Sequence, residues 1–255
     1  MNLLIVGSDK SEIVDHLPEA FLYIDDAIDI PIPRRRKVTR FDLSTHAFNP
    51  LRDMTYTRAR AFIGVLDAVF PEGEDTLTRK SSNFALLNAL LAGPTRLDRL
   101  VPRPGKAVKD TGALDAHQKI QTLLLSPVLK RFLCNPTNFS LQGIVLAQLD
   151  RSRLSEFDCF VIANLLISNY PGQVVIPDFG FYACAFHSSL IRQRRLIAGV
   201  NFLDEVPALK NNLLLIETKL ARHASAGDAE ILADLCSGFA RGQKGHTDFI
   251  QDAVS

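Results

Sequence analysis

Gly172-Gln-Val-Val-Ile-Pro-Asp-Phe-Gly180 is an apolar run that ends on one carboxylate, Asp178. Val174, Val175 and Ile176 are β-branched and continuous, the composition of a strand buried on both faces, as in parallel sheets covered by helices. Ligands of such sheets bind at the carboxyl ends of the strands, so an Asp at that point faces the site. There it could hold the magnesium of a nucleoside triphosphate, while a second acid or amide nearby orients the attacking water. The residue that follows is Phe179, which can do neither.

Other stretches carry chemistry with less context. Leu3 to Val6 is stopped by Gly7-Ser-Asp-Lys10-Ser11, so strand, glycine turn, Lys-Ser and helix follow in the order of a phosphate-binding loop. The spacing from Gly7 to Lys10 is shorter than a full phosphate loop requires, and a tight strand-to-helix turn explains the same residues. Arg34-Arg-Arg-Lys37, flanked by Pro31 and Pro33, could grip phosphates or form a solvated charged loop. Arg192, Arg194 and Arg195 lie on an expected helix; they could face DNA, reach a neighbour's nucleotide, or be a hydrated face. His46 and His187 have no second metal ligand three or four residues further along the chain, so each reads as a hydrogen-bonded structural histidine.

These residues must be positioned by alternating elements. Strands are expected at Leu3–Val6, Phe21–Asp25, Val38–Asp42, Gly143–Asp150, Val174–Ile176 and Leu196–Asn201, with a further apolar run at Leu213–Ile216. Helices are expected at Asp53–Phe70, Ser82–Leu91, Asp115–Phe132 with a kink at Pro127, Leu154–Asn169 and Ala185–Arg195, and another starts at Ser225. Strands alternating with helices imply an α/β fold with a mostly parallel sheet flanked by helices. The helices between residues 52 and 135 separate two groups of strands and read as an insertion into one domain spanning residues 1–255.

Composition narrows the class. The chain has 255 residues, 47% hydrophobic and 22% charged, with net charge +1, which gives no bulk electrostatic reason to expect nucleic acid. No apolar run approaches the roughly 18 residues of a membrane helix, so a cytoplasmic protein is expected. Cys134, Cys159, Cys184 and Cys236 are widely spaced and read as reduced thiols.

The order of pieces resembles the HerA/FtsK superfamily of DNA-pumping ATPases, which includes conjugative coupling proteins and viral packaging motors. The resemblance rests on Phe41-Asp42, Phe48-Asn-Pro-Leu51, Gly143-Ile-Val-Leu-Ala-Gln-Leu-Asp150, Val174-Val-Ile-Pro-Asp178, an Arg-bearing helix, a strand ending at Asn201, Lys219-Leu-Ala-Arg222 and Asp228-Ala-Glu230. It implies a RecA-like sheet, ATP and magnesium as ligands, DNA as partner and a homo-oligomeric ring. By position it makes Asp178 the magnesium-linked acid, Asn201 the γ-phosphate sensor, and Gly7, Lys10 and Ser11 the phosphate loop. Arg192, Arg194, Arg195 and Arg222 become DNA-facing or trans-acting cations. Phe179 stands where the family carries its water-activating Glu, and Glu205, beside Asp204, is the nearest substitute in the topology. The readings left open are a motor with weak, lost or partner-dependent hydrolysis, a structural subunit that keeps the motor fold, and an active ATPase with an unconventional loop.

Overall fold

Parallel strands cannot be joined by hairpins; each pair needs a crossover, usually a helix, and the faces so covered demand apolar residues in both directions. The structure, a computed structural model, describes residues 2–7, 11–28, 30, 37–70, 76–100, 111–182, 195–201, 217–220 and 227. Among them seven strands form one sheet: β1 (Leu3–Val6), β2 (Phe21–Asp25), β3 (Val38–Phe41), β4 (Ile144–Gln148), β5 (Gln173–Ile176), β6 (Leu196–Val200) and β7 (Glu217–Leu220). Their order is β3-β4-β2-β5-β6-β1-β7. From β4 across to β7 every pairing is parallel, so these six strands end along one edge. The helices are α1 (Tyr56–Val69), α2 (Thr76–Leu91), α3 (Thr111–Leu125), α4 (Pro127–Cys134), α5 (Glu156–Asn169) and α6 (Phe179–Tyr182).

The chain divides into two compact units: Met1–Arg40 with Gln142–Leu149 and Pro171–Ser255, and Phe41–Leu141 with Asp150–Tyr170. In the first, one face of the sheet is built from alternate residues: Leu3 and Ile5, Phe21 and Tyr23, Ile144 and Leu146, Val175, and Ile197. Ile13, from a 3-10 turn over Ser11–His16, joins that cluster, and Leu17, Ile28, Ile30 and Val38 pack against it. The intervening residues Leu4, Val6, Leu22, Ile24, Val145, Val174, Ile176 and Val200 are buried as well. Burial on both faces explains why these strands are continuous apolar runs. At the amino edge the buried Asn2 accepts the Leu196 N–H at 3.1 Å, while Arg195 Nε donates to the Gly172 carbonyl at 2.8 Å. Val174 N–H donates to the Arg195 carbonyl at 2.7 Å, so β1, β5 and β6 are tied where they begin.

The second unit is helical. Thr55 caps α1 by accepting the Arg58 N–H, and Ser155 caps α5 by accepting that of Asp158, with Glu156 and Asp158 in the first turn. The helix expected over Asp115–Phe132 with a kink is instead two helices: Ser126 accepts the Leu129 N–H and Pro127 stands at the start of α4, where its missing N–H costs nothing. Asn138 stitches the loop before α1 to the segment after α4, accepting the Ala47 N–H at 2.9 Å and donating to the Thr45 carbonyl at 2.7 Å. On α3 the buried Lys119 pairs with Asp115 one turn earlier at 3.2 Å.

The last strand departs from expectation. The apolar run Leu213–Ile216 lies outside the described residues, and the strand is the more polar Glu217–Leu220, which among the described residues pairs with β1 alone. An edge strand has one neighbour and no need of a continuous apolar pattern. The helices expected at Ala185–Arg195 and from Ser225 fall outside the described residues, apart from Arg195.

Helix packing in the second unit makes a paired prediction. A Cβ on Gly112 of α3 would lie 2.6 Å from the backbone carbon of Ser81 on α2, whereas one on Gly64 of α1 would meet nothing within 4 Å. Gly112→Ala is expected to lower unfolding free energy by roughly 1–3 kcal/mol, and Gly64→Ala to leave it unchanged or raise it by about 0.5–1 kcal/mol, measured by urea titration followed by circular dichroism.

Candidate functional site

Because the strands are parallel, the residues that end or follow β1, β6, β5, β2 and β4 stand in a row along one edge. In strand order these are Gly7, Asn201, Asp178, Asp25 and Gln148. The register fixes their heights. Val6 is level with Val200 and Ile176 with Ala198, so Gly7 stands level with Asn201, and Asp178 one residue below. Tyr23 is level with Val175, which places Asp25 beside Pro177, and Asp25 is paired directly with Gln148. The sheet therefore brings together Gly7, Asp178 and Asn201 from among the residues the sequence singled out. It adds Asp25 and Gln148, whose signal in the sequence was a short apolar run closed by a polar residue.

Gly7 earns its place by conformation. Its N–H still donates to the Val200 carbonyl at 2.9 Å, continuing the ladder, but its φ is 135°, a region closed to residues with a Cβ. The chain leaves the sheet at this residue. Ser11 begins the 3-10 turn whose Ile13 packs back on the sheet face. Lys10 lies outside the described residues, as do Arg192, Arg194, Glu205 and Arg222.

Asp178 sits in the turn between β5 and α6, half-buried. Phe179 opens α6 and is 3% exposed, which seats its ring in the interior. Arg195, grouped with the other arginines as a candidate nucleic-acid or trans-acting cation, is at the opposite edge, where its guanidinium holds the Gly172 carbonyl. Asp25 is held by its own neighbour: its Oδ1 accepts the Asp26 N–H at 2.8 Å, and its carbonyl accepts the Leu149 N–H at 2.8 Å. Among the described residues no three or more His, Cys, Asp or Glu side chains converge as a metal cage. One strand-end carboxylate is the donor set of a magnesium shared with phosphates and water, not of an ion enclosed by protein.

Asp42 and His46 have local work. Asp42 accepts the Ser44 hydroxyl at 2.6 Å and the Ser44 N–H at 2.7 Å, while His46 Nδ1 accepts the Asp42 N–H at 2.8 Å. The His46 ring stacks on Phe41 and packs on Phe139, centroids 5.8 and 5.1 Å apart. This is the hydrogen-bonded structural histidine the sequence implied. Cys134 and Cys159 are buried and in no disulfide, and burial pushes the Cys134 thiol above its ordinary pKa.

No protein-family model matches the chain, and no curated protein matches it in sequence. Its fold does have solved counterparts. VirB4 of Thermoanaerobacter pseudethanolicus superposes with a TM-score of 0.53 at 11% identity, over 94% of this chain and 81% of that one. The bacterial conjugative coupling protein TrwB in its unbound form gives 0.53 at 10% identity, over 92% and 71%. TrwB in complex with the non-hydrolysable GTP analogue GDPNP gives 0.51 at 12% identity, over 92% and 73%. The RecA-like α/β fold implied by the resemblance to HerA/FtsK proteins is therefore borne out as a fold.

The Asp42 turn generates a pH prediction. The Ser44 hydroxyl and N–H hold the Asp42 carboxyl below its ordinary value of 3.8. A depressed folded pKa means that the turn's contribution is complete above the ordinary value and is lost as pH falls through the folded one. The difference in melting temperature between the wild type and Asp42→Ala should be constant at mildly acidic and neutral pH and shrink below pH 3.8, followed by circular dichroism.

Proposed function

We propose that this chain is a HerA/FtsK-like motor-derived domain that binds ATP with magnesium along the carboxyl edge of its sheet. On this reading it serves the translocation, packaging or transfer of DNA, with hydrolysis that is weak, lost or dependent on a partner. The observation that carries it is the row Gly7, Asn201, Asp178, in which a turn that only glycine can make, an amide and a carboxylate end three neighbouring strands. Asp178 would hold the magnesium, Asn201 would sense the γ-phosphate, and Gly7, Lys10 and Ser11 would face the phosphates. The metal would supply charge neutralisation between the phosphates. Relatives in fold crystallised with ATP and GTP analogues support a nucleotide as ligand.

The whole chain would form one domain carrying the helical unit as its insertion, and would work as a ring of copies. Arg192, Arg194 and Arg222 would serve DNA or a neighbouring nucleotide. The interior seat of Phe179 supports impaired turnover, since the position after Asp178 cannot orient water. It equally favours a second reading, a structural or protein-binding subunit that keeps the fold without the chemistry. Nucleotide binding separates the two.

Calorimetry with ATP and magnesium is expected to show binding to the intact protein, weakened about tenfold or more in Asp178→Ala. No heat at millimolar nucleotide would leave the structural subunit as the reading that stands.

A further inference from the structure

We infer that the corner of the helical unit where the 3-10 turn Leu97–Arg99 packs on α4 binds the phosphate backbone of DNA; the inference rests on the reading of DNA as partner proposed above. Asp98 and Cys134 join the two elements. The Asp98 backbone hydrogen-bonds the Cys134 sulphur, and Arg96 and Lys130 are near enough for their charges to act on it. Arg99 follows Asp98 and acts on its carboxylate. On α4, Lys130 and Arg131 precede Cys134 by about one turn, the spacing of residues that share a helix face. Arg96, Arg99, Lys130 and Arg131 are thus gathered around one buried thiol, and all four are exposed.

Their charge is not compensated within the corner. Asp98 is the only acid in the two elements, and it is already engaged: Arg96 Nε donates to its Oδ1 at 3.0 Å and Arg96 Nη2 to its Oδ2 at 2.7 Å. Arg52, Arg79 and Arg153 lie 3.2–3.4 Å from a carboxylate oxygen, whereas Arg99, Lys130 and Arg131 have no ion pair among the described residues. The carboxyl end of α4 supplies about half a negative charge, a small part of what three cations call for. Like charges gathered on one surface attract a polyanion, and a nucleic acid that meets them also releases its condensed counterions.

The composition of the corner selects the partner. Leu97, Leu129, Phe132 and Leu133 are buried, and the exposed residues that flank the two elements, Thr95 and Asn135, are polar. A protein partner would find no apolar centre of the kind that interfaces between proteins carry. Arg and Lys beside hydroxyl and amide side chains are the groups that contact phosphate oxygens, and such contacts do not depend on base sequence.

The test follows a fluorescein-labelled DNA duplex of arbitrary sequence binding to the full chain by anisotropy, over a series of sodium chloride concentrations. Each of Arg99→Ala, Lys130→Ala and Arg131→Ala should flatten the plot of log K against log salt by about 0.9, and the three together by about 2.7. The side chains are exposed, so melting temperatures should match the wild type. Asp98→Asn frees the Arg96 guanidinium and should steepen the plot by about 0.9, a gain that damage to the fold would not produce. Lys80→Ala, on α2 about 16 Å of helix before Leu91, should leave it unchanged. DNA binding with an unaltered slope in the triple variant, or a slope flattened as much by Lys80→Ala as by Lys130→Ala, overturns this site and leaves DNA standing as partner. Absence of binding by the wild type at low salt overturns both.

Discussion

Parallel pairing is the constraint on which the rest of this molecule depends. Six strands that run the same way deliver their last residues to one line, whatever the distance between them in sequence. Residues 7, 25, 148, 178 and 201 become neighbours by that rule alone. Antiparallel pairing of any inner strand would have sent its terminal polar residue to the opposite edge. Such a sheet needs cover on both faces, and the apolar runs of β1, β2, β4, β5 and β6 answer that need.

The helical unit obeys different physics. Its helices begin at side-chain caps, at Thr55, Ser126 and Ser155, and its loops are closed by amide side chains such as Asn138 and Asn49. The buried Lys119 and its half-buried partner Asp115 belong to it too. Removing a single partner from a buried pair costs far more than the pair contributes. Small errors in this unit are therefore expressed as lost stability, not as altered chemistry at the sheet edge.

What the sequence revealed follows the same division. Strands buried on both faces were legible as short apolar runs bounded by turn residues. β7 was not, since a strand that among the described residues is bonded only to β1 can carry Glu217, Thr218 and Lys219. Pro127 was visible as an interruption, but whether it bends one helix or starts another turns on Ser126, whose cap is seen only in three dimensions. Among the candidate residues, Asp178, Asn201 and Gly7 could be picked out because each closes an apolar run. Asp25 closes one too. Its place in the row depended on strand order, which periodicity does not encode: β2 is second in the chain yet lies beside β5 in the sheet.

The ties at the start of the strands have a consequence for how such a protein can change over time. Asn2, Arg195 and Gly172 join β1, β6 and β5 at the amino edge, far along each strand from Gly7, Asn201 and Asp178. The anchoring contacts and the candidate residues thereby lie at opposite ends of the same strands. A substitution among residues 7, 178, 179 and 201 leaves those contacts untouched. A fold anchored this way tolerates change along its carboxyl edge while its architecture persists, and it is shared with solved structures at identities of only 10–12%.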